Sequence, residues 1–144
     1  MFSKQIEFID NFQTALNLQL QQTLEEHDLI LKDYLVEKQL FDKGIDGTGK
    51  RLEGYTRTTI RYKIAKRQPA DRTTLKDEGN FHASITIKAF SDTFEISSDV
   101  SYDKYIIKRY GQNGLKITND NFKEFLLKFF VPKFKTYVDN QLTK

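Results

Sequence analysis

The sequence predicts an α+β domain: a long N-terminal helix or helix pair, an antiparallel β-hairpin or small curved sheet, and C-terminal amphipathic helices. Three observations predict it. Residues 3–42 carry apolar side chains at helical spacing and contain no Pro or Gly. Over residues 81–90 apolar and polar side chains alternate, the period of a half-buried strand. Phe122, Phe125, Leu126, Phe129 and Phe130 then recur at helical spacing, opposite Lys123, Glu124 and Lys128. With 144 residues and no cysteine, the chain is expected to bury one core as a single domain, residues 1–144, without disulfides.

In the helical region 1–42 the stripe runs through Phe2, Ile6, Ile9, Leu16, Leu20 and Leu24, and resumes at Leu31, Tyr34, Leu35 and Leu40. The pattern fits one helix, or two with a break near Glu25-Glu26-His27-Asp28. Gln19, Gln21 and Gln22 are expected to be exposed. A helix of this length either projects and packs on a neighbouring subunit or covers one face of the sheet. Gly44, Gly47, Gly49 and Gly54 end it and open a Gly-rich, basic loop region over residues 43–80. Within that region, residues 55–65 fit a short strand or a short helix, and residues 66–74 read as loop.

Residues 75–111 are the expected hub. After the turn-prone Lys76-Asp77-Glu78-Gly79-Asn80, the alternation puts Phe81, Ala83, Ile85, Ile87 and Ala89 on one face and His82, Ser84, Thr86 and Lys88 on the other. Ser91-Asp92 reverses the chain into a second strand over residues 93–97, completing a hairpin. Ser98 to Ser101 offer N-caps to a short helix bearing Tyr102, Tyr105, Ile106, Arg109 and Tyr110, which Gly111 stops. Gln112-Asn113-Gly114 is turn chemistry. Thr118 or Asn119 caps the C-terminal helices over residues 118–142, Pro132 kinks or restarts them, and Phe134, Tyr137, Val138 and Leu142 continue their apolar face.

Composition narrows the chemistry. The absence of Cys excludes disulfides and thiolate metal sites, and two His are too few for a His-only metal site. No apolar run approaches the roughly 20 residues that span a bilayer, and the first residues lack a signal-peptide layout. The expectation is a protein that works where it is made or is built into an assembly there. Charge is unevenly placed: residues 1–49 hold four basic and nine acidic side chains, a net −5, and residues 50–76 hold nine and two, a net +7. A basic middle beside an acidic N-terminal part points to a polyanion or an acidic protein neighbour, with a solvated loop as the plain alternative.

Two motifs in the glycine loop fail on inspection. Gly44, Gly49 and Lys50 match the start of a phosphate-binding loop, but Arg51 stands where the magnesium-binding hydroxyl belongs. Asp42, Asp46, Gly47 and Glu53 fall on EF-hand positions, yet Gly44 and Gly49 occupy places that need other residues. His27 and His82 have no nucleophile or ligand at useful spacing, and Asp99 and Asp103 sit where a helix start favours carboxylates. No catalytic, cofactor or metal site is expected.

Four pieces of the chain resemble tailed-bacteriophage virion-morphogenesis and tail-completion (neck) proteins of the Mu-like and lambdoid type. They are residues 41–49, Tyr55-Thr56-Arg57-Thr58-Thr59 with Lys63, Leu75-Lys76-Asp77-Glu78-Gly79-Asn80-Phe81, and residues 102–111 closing with Tyr110-Gly111. The match spans about half the chain; it has Glu78-Gly79 where the family more often has Thr-Gly, and Asp103 where a small residue is usual. The resemblance implies a small α+β subunit, long helices beside a curved antiparallel sheet, assembled into a homo-oligomeric ring at the head-to-tail joint or tail terminus. It implies portal, connector, tail-tube or terminator proteins as neighbours, a place in the virion after assembly in the host cytoplasm, no membrane, and no catalysis.

Arg51, Arg57, Arg61, Lys63, Lys66, Arg67 and Arg72 are the candidates for a subunit interface or for contact with DNA in the lumen. The alternative function is a nucleic-acid-binding module using this same segment, with Tyr55 and Tyr62 interleaved as stacking side chains. In a head-to-tail ring, each acidic helix would meet the next subunit's basic segment. Reversing Arg61, Lys63, Lys66 and Arg67 to Glu is then expected to leave the monomer folded and prevent rings.

Overall fold

The N-terminal stripe folds as two helices that meet at His27. The computed structural model describes residues 2–143, with side chains from residue 10 onward; Phe2, Ile6 and Ile9 of the apolar stripe lie outside the described side chains. Helix α1 (Phe2–Glu26) has 25 residues, about 37 Å at 1.5 Å per residue. At His27 (φ −125°, ψ 25°) the backbone leaves the helical region, and α2 (Asp28–Asp33) begins. The bonds from His27 N to Thr23 O (3.1 Å) and from Leu31 N to His27 O (3.0 Å) carry the chain across the break. Gln19, Gln21 and Gln22 are half-buried rather than exposed.

Beyond Asp33 the helix widens into a π-helical segment, Tyr34–Phe41. Tyr34, Leu35, Val36, Gln39 and Leu40 are all buried. They serve two cores. Leu31 and Tyr34 join Leu24 and Phe125, whereas Leu35, Val36 and Leu40 join Leu52, Phe81 and Ile85. The segment meets both cores with Leu31, Tyr34, Leu35, Val36, Gln39 and Leu40, while Lys32, Asp33, Glu37 and Lys38 stay half-buried or exposed on its remaining face. The centre of burial is therefore this segment rather than the hairpin.

The one polar side chain inside it is fully used. Gln39 is 0% exposed; its Nε2 donates to Lys116 O (2.7 Å) and its Oε1 accepts from Thr118 N (2.9 Å). Thr118 in turn is the N-cap of α6 (Asn119–Phe125), its Oγ1 accepting from Asn121 N at 3.2 Å. From there the chain passes through a second π-helical turn, Leu126–Phe130, into α7 (Val131–Leu142). Pro132 lies in the first turn of α7, where a residue without an N–H is tolerated. Phe122, Phe125 and Phe129 stack in series (6.4 and 5.2 Å between centroids), and Phe134 of α7 meets Phe12 of α1 edge-on at 5.6 Å. Leu142 does not continue the apolar face; it is 79% exposed.

The hairpin is shorter than the alternation implied. β1 (Ile85–Ala89) pairs antiparallel with β2 (Phe94–Ser98), Ile87 opposite Ile96 and Lys88 opposite Glu95. Phe90 N donates to Thr93 O at 2.8 Å across the Ser91-Asp92 turn. Residues 81–84, expected to open the first strand, fall instead in a helical turn, α4 (Asn80–Ser84). The reason is burial: Phe81 and His82 are both buried, and consecutive strand residues point to opposite faces. Ser84 Oγ closes the turn on Phe81 O (2.7 Å). α5 (Asp103–Tyr110) ends at Gly111 (φ 80°), but none of Ser98 to Ser101 caps it; Tyr102 holds the N-cap position without a side-chain bond.

The glycine-rich, basic region is not all loop. Thr56 Oγ1 accepts from Thr59 N (3.3 Å) and starts α3 (Arg57–Ala65), settling the strand-or-helix alternative in favour of helix. Before it, Asp46 Oδ1 accepts from Thr48 N (2.8 Å), Thr48 Oγ1 (2.6 Å) and Lys50 N (3.1 Å), so this carboxylate staples its own turn. Gly47 N donates to Asn113 O (2.7 Å), and a Cβ at Gly47 would stand 2.4 Å from Lys116 Cβ. Only glycine permits that approach.

Replacing Gln39 with Leu keeps the volume but leaves Lys116 O and Thr118 N unsatisfied at the start of α6. Each stranded group costs about 1–3 kcal/mol, so Gln39→Leu is expected to lower unfolding stability by about 2–4 kcal/mol in denaturant titration.

Candidate functional site

Three stretches distant in sequence wall one open cavity of about 700 Å³: residues 55–63, 75–81 and 102–110. Each is placed by its own local chemistry. Tyr55 approaches because its hydroxyl accepts from Thr74 N (2.9 Å) and is hydrogen-bonded to Thr74 Oγ1 (3.2 Å). Thr73 Oγ1 donates to Glu53 O (2.5 Å), and both threonines are 1% exposed. These bonds pin residues 53–55 against the chain that leads into the 75–79 turn. That turn needs unusual backbone: Leu75 lies at φ 54° and Gly79 at φ 93°. A non-glycine residue in the left-handed region costs of order 1 kcal/mol and is held there only by its surroundings. The third wall is α5, whose Tyr102, Ile106 and Tyr110 fall at i, i+4 and i+8 on one face.

Asp77 locks the turn to the end of α3. Its carboxylate accepts from Tyr62 Oη (3.1 Å) and Lys66 Nζ (3.3 Å), while Gln68 Nε2 bonds its backbone oxygen (3.0 Å). Slight desolvation of this exposed carboxyl works to raise its pKa, but the bonds it accepts from Lys66, Tyr62 and Gln68 Nε2 (3.4 Å to Oδ1) outweigh that and hold the group below the usual value. Lys66 also lies over the Tyr62 ring at 4.5 Å. On the surface such a pair fixes geometry more than it stabilises.

The seven basic candidates divide by position. Arg51, Arg57, Arg61 and Arg67 are exposed. Lys66 is exposed but engaged by Asp77. Arg72 is half-buried, donating from Nε to Phe41 O (2.7 Å) and pairing with Asp71 (2.7 Å). Lys63 is a buried residue, 4% exposed, with its ammonium on Lys76 O and 5.3 Å above the Tyr55 ring. It is not part of a solvated surface, and Lys63→Glu would bury an acid beside a carbonyl oxygen. The basic residues therefore do not act as one patch. The sequence shows Tyr102, Ile106 and Tyr110 only as recurring at helical spacing; the structure makes them a cavity wall.

No family model matches the chain, and neither a curated protein nor a solved structure does.

Behind the cavity, His82 Nε2 lies 2.8 Å from Thr74 O, and its buried Nδ1 has no partner among the described residues. Burial lowers the pKa of this ring below the ordinary 6.5, helped by Lys76 and Lys32, against the smaller opposing effects of the Thr74 bond and Glu37. The neutral ring donates from Nε2. Because the unfolded chain takes up the proton first, the stabilisation is present above pH 6.5 and is lost as pH falls through and below it. The melting temperature is expected to drop between about pH 7.5 and about pH 5.5. His82→Gln, which keeps a donor for Thr74 O, is expected to flatten that dependence.

Proposed function

We propose that this chain is a structural subunit of a tailed-bacteriophage virion, assembling into a ring at the head-to-tail joint or tail terminus and acting without catalysis. One observation carries the reading. Three of the four pieces that resemble neck and tail-completion proteins, separated by many residues, come together as the walls of a single cavity. Short likenesses scattered by chance have no reason to converge. The exposed aromatic and aliphatic side chains beside that cavity fit a surface meant to be covered: Tyr62 is 45%, Ile64 63%, Tyr102 41% and Tyr105 64% exposed. The partners are other copies of the chain, and portal, connector or tail-tube proteins. No helix among the described residues is long and apolar enough to cross a membrane.

A second reading, binding of nucleic acid, draws on Arg57 and Arg61, exposed one turn apart on α3. The two are compatible, since a neck ring encloses DNA. Light scattering over a concentration series decides the first: a discrete multimer is expected. A monomer at every concentration that also fails to bind portal, connector or tail-tube proteins would contradict it. For the second, replacing Arg57, Arg61 and Arg67 with Ala is expected to preserve the multimer and to reduce the salt slope of DNA binding by about 3. If the wild-type protein does not associate with DNA even near about 50 mM salt, that reading is out.

A further inference from the structure

We infer that the cavity between α3, the 75–79 turn and α5 receives the acidic N-terminal helix of a second copy, a carboxylate of that helix pairing with Lys63. The inference rests on the ring reading above and names the contact that builds the ring.

Lys63 supplies the cation. Its ammonium has three protons to donate, and among the described residues it meets one carbonyl, Lys76 O, and one aromatic face, Tyr55. No carboxylate pairs with it there. Burying an ammonium without a counter-ion is costly, and such a charge is normally paired. Two carboxylates line the cavity and neither pairs with Lys63: Asp77 is held by Lys66 and Tyr62, and Glu78 is exposed. The remaining wall is largely apolar, with Leu75, Phe81 and Ile106 below and Tyr62 and Tyr102 at the mouth. Such a site is complementary to an apolar segment that carries an acid.

The chain holds such a segment. Residues 2–26 carry one basic and four acidic side chains, a net −3, against a net +7 for residues 50–76. Residues 10–14 of α1 are exposed, Asp10 among them, and Phe12 remains 45% exposed although its ring meets Phe134. Within its own chain α1 packs chiefly on β1, α2, the 126–130 turn and α7. A contact between α1 of one copy and the cavity of the next is heterologous, so repetition by rotation closes a ring. Opposed charges set the register, and the apolar side chains supply the affinity.

The test uses full-length protein with p-benzoylphenylalanine in place of Tyr102, assembled from a mixture of isotopically light and heavy chains. After irradiation, light-to-heavy cross-links onto residues 2–20 are expected. Lys63→Met keeps the stem without the charge but removes the donor to Lys76 O, so its melting temperature is measured alongside; under conditions where it is folded it is expected to raise the half-assembly concentration at least roughly tenfold. Asp10→Asn, at an exposed position, is expected to act in the same direction and decides the point should Lys63→Met fail to fold. Intact rings whose cross-links fall elsewhere, or charge-neutral variants that assemble as wild type does, would overturn this contact while leaving the ring. A protein that forms no multimer would overturn the ring reading itself.

Discussion

The fold depends on a helical segment that is buried on both sides. Residues 31–40 divide the interior into two clusters, and each neighbour is placed by the side it takes: Leu24 and Phe125 on one, Leu52, Phe81 and Ile85 on the other. Close packing makes such a divider intolerant of polar atoms. Gln39 is admitted because both ends of its amide bond backbone groups at 116–118. The same side chain fixes where α6 begins, and so where the Phe122, Phe125 and Phe129 series meets the first cluster. β1 spans the divide, giving Ile85 to one cluster and Ile87 and Ala89 to the edge of the other.

The cavity follows from how the second cluster is closed. Phe81 enters it from α4, and His82, its neighbour, is held by Thr74 O. Thr74 also holds Tyr55. The chain before α3 and the chain before α4 are thereby tied at one residue, and α3 is carried across to face α5. Lys63 is then enclosed with no carboxylate paired to it among the described residues, while Arg57 and Arg61, on the opposite side of the same helix, remain in solvent. A charge count over residues 50–76 cannot distinguish these fates, because it contains no information on which face of α3 turns inward.

Much of the architecture was legible in the sequence. The N-terminal helical stripe, the Ser91-Asp92 turn and Gly111 as a helix stop rest on local chemistry that a linear pattern contains; the same pattern left open whether the stripe breaks near residues 25–28 and whether Thr118 or Asn119 is the cap. The misreadings have tertiary causes. Residues 81–84 alternate like a strand, but the core takes both Phe81 and His82, which only a helical turn allows. Residues 55–65 were ambiguous because Thr-rich sequences suit strands, and the Thr56 cap decided for helix. The cavity itself was not readable: its walls were visible only as three separate stretches, and their convergence depends on buried bonds from Thr73 and Thr74 in a segment whose only apolar residues are Pro69 and Ala70.

Hydrogen exchange on the intact protein, compared between concentrations above and below assembly, tests most directly whether the three converging stretches form one recognition surface. Amides in residues 55–63, 75–81 and 102–110 should gain protection together on assembly, while those of residues 31–40 are already protected in the unassembled chain. Protection that changes at only one stretch, or only at sites remote from all three, would contradict a shared surface.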